Sequence, residues 1–128
     1  MKKSDAEKLS QLHQQILEFN HQRGWDPSAQ NIAKSIVIEA AELLEHFQWD
    51  NGSSTKEKDL IEIGNEAADV IWYLFLLCQR LDINIIEAIS RKLEHNQKKY
   101  PVEMFKGQRN DEFYYSQKKK YRQDKSLE

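Results

Sequence analysis

"DLIEIGNEAADVIWYLFLLC", residues 59–78, decides the fold. Periodicity together with start and stop signals places it in a helix that reaches about Leu81. Between Val70 and Leu77 the segment is apolar almost all the way round, and a helix of that kind is covered on every side. It therefore belongs at the centre of a bundle, with part of its surface, at Trp72 and Phe75, closed off by a second copy of the chain. Against that apolar background Glu62, Glu66, Asp69 and Tyr73 stand three or four residues apart and project from one side.

Working outward, three more helices complete an all-α four-helix bundle. Ser4 with Glu7 forms a capping box for the first, in which Leu9, Leu12, Ile16 and Phe19 recur at helical spacing before Gly24 ends it. Pro27 breaks the chain direction, and the second helix runs from about Ser28 to Trp49 with Ile32, Ile36, Ala40, Leu43 and Phe47 as its apolar stripe. "DNGSST" is a loop, and Ser54 with Glu57 signals the start of the third helix. Asn84 with Glu87 repeats the signature for the fourth, which Pro101 ends. Residues 1–101 make the helical domain. Residues 102–128 carry tyrosines and a lysine run without a strong apolar stripe, and read as a partly disordered surface arm with some helix.

Composition agrees with one folded helical domain. At 128 residues the chain can remove roughly two thirds of its unfolded surface from water. With 39% hydrophobic and 31% charged residues and few glycines or prolines, disordered and all-β classes are disfavoured. A formal net charge of −2 argues against a general nucleic-acid-binding surface. The single cysteine, Cys78, lies in the apolar run and reads as a buried, inert thiol. No segment approaches the ~20 apolar residues needed to span a bilayer, and the N-terminus lacks a signal-peptide core. The expected location is the cytoplasm.

The second helix answers the acids of the third. In "NIAKSIVIEAAELLEHFQW", residues 31–49, Glu39 lies beside the apolar stripe and Glu42 one step further round, whereas Glu45 points away to solvent. Taken alone, acids at i and i+3 are ordinary solvated surface. Two such pairs, Glu39/Glu42 and Glu66/Asp69, both flanking apolar stripes, mean that carboxylates meet at a seam with little inward-facing Lys or Arg to compensate them. Proton uptake, pairing or a cation relieves such a cluster. A set made only of carboxylate oxygens suits Mg²⁺, with Mn²⁺ or Ca²⁺ as the other hard cations, over zinc. The two Glu-x-x-His elements of a di-iron carboxylate bundle are not met, since only Glu18 with His21 fits.

These residues resemble a known family. "EAAE" followed by "EAAD", with "NIAKSIVIEAAELLEHFQW", "EAADVIWY" and "NQKKYP", resembles the MazG-like all-α nucleoside triphosphate pyrophosphohydrolases, and among them the dCTP pyrophosphatase branch, over residues from about 9 to 101. The resemblance implies Mg²⁺-dependent (Mn²⁺ as an alternative) hydrolysis of a (d)NTP to (d)NMP and pyrophosphate, in nucleotide pool sanitation or control. It implies Glu39, Glu42, Glu66 and Asp69 as metal ligands, with Glu39 or Glu42 as the base. Trp25 and Trp49 would pack on the base, Tyr73 would contact substrate, and Lys92, Asn96 and Lys99 would hold phosphate. The apolar third helix can serve either a homodimer or a homotetramer, and neither membrane nor nucleic acid is expected as a partner. Asn65 stands where relatives often carry a second acid, which Glu62 can replace, and His46 replaces a residue usually apolar. The other reading of the same residues is a non-catalytic dimeric helical module whose acidic face binds a basic partner.

Overall fold

A computed structural model describes residues 4–49, 52, 56–105 and 111–125, and among them every regular element is helical. The elements are α1 (Asp5–Gln22), α2 (Ala29–Glu45), α3 (Glu57–Arg80), α4 (Ile85–Lys99), the short α5 (Val102–Phe105) and α6 (Asp111–Lys125). The chain divides into two compact units, Met1–Asn84 and Ile85–Glu128. None of the helices among the described residues is long and apolar enough to cross a membrane.

Local chemistry sets the helix ends. At the start of α1 the Glu7 amide donates to Ser4 Oγ at 3.3 Å and the Ser4 amide donates to Glu7 Oε2 at 2.8 Å, a complete capping box. α2 opens behind Pro27 with the Asn31 amide donating to Ser28 Oγ at 3.2 Å. It ends at Glu45, short of the Trp49 expected from sequence. The Ser54 cap lies outside the described residues; at the observed start of α3 the Lys56 amide donates to Asp59 Oδ2 at 2.9 Å. α4 begins directly after Asn84 and stops before Pro101, as the signals require.

α1 and α3 finish in the same way. Gly24 takes a left-handed φ of +64°, its amide donates to the His21 carbonyl at 3.0 Å, and the Trp25 amide reaches back to the Asn20 carbonyl at 3.0 Å. That is a Schellman termination, which turns the chain sharply and fixes where Trp25 starts. α3 repeats it with Asp82 at φ 54°, the Asp82 amide on the Gln79 carbonyl at 3.3 Å and the Ile83 amide on the Cys78 carbonyl at 2.8 Å.

In the first unit α3 packs along α2 and touches α1. The core holds Ile32, Leu76 and Cys78, and the cysteine is a free buried thiol as expected. Trp72 and Phe75, expected to face a second copy, are covered within the chain. Trp72 meets Phe19 edge-on at 5.2 Å and Phe75 lies 4.5 Å from the His13 ring. The apolar residues of α3 left exposed are instead Leu60, Ile61, Ile71 and Leu74, beside Val37, Ile38 and Leu44 of α2. The expected stripes are covered in part: Ile16 and Phe19 on α1 and Ile32, Ile36 and Leu43 on α2 are buried or half-buried, whereas Leu9, Leu12, Ala40 and Phe47 are exposed, and His13, Leu17, Asn20, Ser35, Glu39 and His46 join the covered side.

In the second unit the segment after Pro101 is largely helical and docks through aromatic rings. Tyr100 lies 5.7 Å from Phe105 and 5.5 Å from Tyr114, and Phe105 lies 5.0 Å from Phe113. The Tyr121 hydroxyl hydrogen-bonds His95 Nε2 at 2.9 Å, fastening α6 to α4.

Candidate active site

The acids of α2 and α3 meet at the seam between those helices. Glu39, Glu42 and Glu66 each bring a carboxylate oxygen within 4.8 Å of the other two. One helical turn separates Glu39 from Glu42, so both reach the same stretch of α3. Burial pushes the Glu39 carboxyl above its ordinary value, followed by the charges of Glu42 and Asp69 and a hydrogen bond with Glu42. Burial likewise raises Glu66, with the Glu42 charge and a second hydrogen bond to Glu42 adding to it, and His46 opposing. Asp69 stands outside the group of three yet acts on both Glu39 and Glu66. Glu45, Glu62 and Asn65 are exposed.

Such a group is poorly arranged for stability. Carboxylates in mutual contact repel, and covering them removes the water that would have screened them. Among the described residues the basic group within ion-pair reach of the cluster is His46, whose Nε2 lies 3.9 Å from Glu66 Oε1. Glu39 and Glu66 each hold a proton more tightly than a free carboxyl does, because covering and the neighbouring acids disfavour their charged forms. A divalent cation relieves the same repulsion. Oxygen ligands about 2.1 Å from Mg²⁺ stand at most about 4.2 Å apart, so side-chain rotation closes the 4.8 Å spread around one ion. The donor set fits a hard cation, with Glu39, Glu42 and Glu66 as its nearest holders and Asp69 beside them.

Next to the cluster is an open aromatic cleft of about 470 Å³. Its walls include Trp25, Trp72 and Tyr73, with Ser35 and Asn20 as polar members. Ser35 precedes Glu39 by four residues and Tyr73 follows Asp69 by four, so each cleft residue stands about 6 Å, one turn, from an acid on its own helix. Ring and acid are thereby held in a fixed relation by two packed helices. Trp25 leans edge-on against Phe19 at 5.9 Å and keeps 58% of its surface exposed. A second cleft of about 580 Å³ shares Trp25, Asn20, Ile32 and Leu76 with the first and is bordered by the ion pair of Arg80 with Asp26.

Of the residues anticipated for the site, the structure brings Glu39, Glu42 and Glu66 together, sets Asp69 beside them and puts Trp25 and Tyr73 in one cleft. Trp49 lies beyond the end of α2 and is 90% exposed, away from the cleft walls. Lys92, Asn96 and Lys99 share a face of α4 in the second unit. There Lys92 is exposed, Asn96 half-buried, and the Lys99 ammonium lies 4.1 Å over the Tyr121 ring and 5.0 Å over that of Tyr100. Sequence reasoning missed Trp72, Ser35 and Asn20 as cleft residues. Trp72 read as a ring closed off by a second copy, Ser35 shares the flank of α2 that carries Glu39 and Glu42, and Asn20 carried no signal.

An acid-lined seam beside an aromatic cleft on an all-helical frame agrees with what the chain matches: it belongs to the MazG-like family, whose pattern covers residues 34–112. It is 30% identical over 108 residues to dCTP pyrophosphatase 1 of Rattus norvegicus, covering 79% of this chain and 62% of that one. Against dCTP pyrophosphatase 1 of Homo sapiens the identity is 30% over 107 residues, 77% of this chain and 60% of the relative. The chain thus spans less than two thirds of the length of these curated relatives. Among solved structures it is similar to a pyrophosphatase from Archaeoglobus fulgidus, with a TM-score of 0.62 and 41% identity, over 79% of this chain and 96% of that one.

Proposed function

We propose that this chain is a divalent-cation-dependent nucleotide pyrophosphohydrolase that converts a (d)NTP to (d)NMP and pyrophosphate. The observation that carries the reading is the one-turn spacing between cleft and cluster. A base seated between Trp25, Trp72 and Tyr73 has the carboxylates of Glu39, Glu42, Glu66 and Asp69 at the distance its phosphate chain reaches. The relatives named dCTP pyrophosphatase support dCTP or a modified pyrimidine nucleotide as substrate.

The cation, Mg²⁺ or Mn²⁺, would be held by Glu39, Glu42, Glu66 and Asp69 and would supply neutralisation of the phosphate charge. Glu39 or Glu42 takes a proton from the attacking water as general base. Attack at the α-phosphorus in line with the α–β bridge expels pyrophosphate, so no side-chain nucleophile is needed. Tyr73 and the indoles orient the nucleoside.

The reading includes residues 1–101 as the catalytic domain with 102–128 as an arm, a homodimer or homotetramer, and work in nucleotide pool control in the cytoplasm. The exposed apolar residues Val37, Ile38, Ile61 and Ile71 support self-association.

The test is pyrophosphate release from a panel of ordinary and modified nucleoside triphosphates, with Mg²⁺ and then with chelator. Turnover that chelator abolishes, and that Glu39→Gln or Asp69→Asn lowers by about a hundredfold or more with helicity intact, is the expected result. No turnover of any triphosphate, with no effect of Mg²⁺ on the melting temperature, makes the chain a non-catalytic helical module instead.

A further inference from the structure

Among the described residues Asn20 is the single polar residue buried in the first unit's core, at 8% exposure, and its Oδ1 is covered with no hydrogen-bond donor in the chain. Leaving a buried acceptor without a partner costs about 1–3 kcal/mol, so such an atom calls for an explanation. His13 Nε2 is the other orphaned atom among the described residues, but His13 lies against Phe75 and lines neither cleft. Asn20 lines both, at the border they share. Its position is also fixed: its backbone carbonyl accepts from the amides of Arg23 and Trp25, so the same residue ends α1 and sets the start of the tryptophan wall.

Resting on the nucleotide reading above, we infer that Asn20 is a specificity-determining residue that reads the polar edge of the base held by Trp25, Trp72 and Tyr73. Aromatic walls accept any flat ring and discriminate weakly, because every base has an apolar face. An amide at the margin of those walls adds what they lack. Oδ1 takes an N–H from the base and Nδ2 gives one to a ring nitrogen or carbonyl, so the ligand class is a nitrogen heterocycle with a donor beside an acceptor on its edge. A ring of the same shape with neither group leaves Oδ1 orphaned and is rejected. Sites that hydrogen-bond a substrate group discriminate strongly against analogues lacking it, by about 10⁴ in the best cases.

The test compares the full chain with Asn20→Leu, which keeps the branched shape and removes the amide. One readout is kcat/KM for pyrophosphate release from natural deoxynucleoside triphosphates and from triphosphates bearing apolar isosteric bases. The other is binding of the corresponding monophosphates, followed by quenching of indole fluorescence. The expected result is a natural-over-isostere preference in the wild type that falls about tenfold or more in Asn20→Leu, through the natural ligand, while isostere binding holds or improves. Asn20→Asp, which accepts but cannot donate, keeps the shape of the site if the leucine variant does not fold, and lowers the same preference. A melting temperature that changes while the preference stays constant overturns the inference and makes Asn20 a purely structural group. Amide-dependent binding of monophosphates without any pyrophosphate release sinks the hydrolase reading and leaves Asn20's role standing. Release with an unchanged preference does the reverse.

Discussion

The imidazole of His46 stands 3.9 Å from the carboxylate of Glu66, at the acid seam between α2 and α3. It is the basic side chain nearest the cluster among the described residues, and it favours the charged form of Glu66 when it carries a proton. Protons and a divalent cation compete for Glu39 and Glu66, whose affinity for protons is raised. The expected outcome is a Mg²⁺ affinity, measured by calorimetric titration, that falls as the solution is made more acid and that differs between the wild type and His46→Gln. Equal affinities in the two proteins remove His46 from the site.

Glu39 and Glu66 both have raised proton affinities in the folded chain. A group whose folded value exceeds its unfolded one stabilises the fold below the unfolded value, 4.5 here, and that contribution is lost as pH rises through the folded value. The metal-free protein is thus strained by its own acids at neutral pH. Glu39→Gln is expected to raise the melting temperature of the metal-free protein at pH 7 by a few degrees, to change it little at pH 4, and to blunt the further rise on adding Mg²⁺. A fall in melting temperature at pH 7 contradicts the account.

Asp82 holds at φ 54° the position that Gly24 holds at the end of α1. A side chain in the left-handed region costs about 1 kcal/mol, and glycine avoids it. Asp82→Gly is expected to stabilise the protein by about 0.5–1 kcal/mol in urea unfolding. Gly24→Ala is expected to cost about 1 kcal/mol, although no neighbour lies within 4 Å of the added methyl, because the penalty resides in the backbone. It also shifts Trp25, so ligand-induced indole quenching weakens with it.

How much of this was written in the sequence follows the range of the interactions. The Ser4–Glu7 box, the Gly24 stop and the break at Pro101 depend on residues within about one turn of the helix end, and sequence locates them. The pairing of Glu39/Glu42 with Glu66 was legible for a related reason: acids beside an apolar stripe on two helices have few places to go but the seam. What hydropathy could not give is which polar residues share the covered side of each helix. Ile16, Phe19, Ile32, Ile36 and Leu43 of the apolar stripes are covered as read, while Leu9, Leu12 and Phe47 are exposed and His13, Asn20, Ser35, Glu39 and His46 are covered beside them. Covering polar residues costs free energy unless a ligand or a partner group compensates them, and these covered polar positions are the ones that border the cleft and the cluster. Nothing local to α3 announces that His13 and Phe19 of α1 pack on Phe75 and Trp72.

An apolar surface is left elsewhere. Val37, Ile38 and Leu44 on α2 and Leu60, Ile61, Ile71 and Leu74 on α3 are all exposed in the isolated chain. Exposed apolar surface is disfavoured in water by about 25 cal/mol for each Å² that could be buried. A symmetric pair of chains would cover α2 and α3 of one copy with the same helices of the other, an isologous contact. Ile71→Asp is the sharper probe, since Ile71 lies on α3 between the covered Val70 and Trp72 and its own side chain faces outward. A charge there leaves the chain's internal packing intact and would have to be desolvated in the pair. Sedimentation equilibrium is expected to give a multiple of the 15.2 kDa chain mass for the wild type and the mass of one chain for Ile71→Asp, with unchanged helical circular dichroism. A wild type that sediments as a single chain at micromolar concentration ends the oligomer reading and leaves this face open to a different partner.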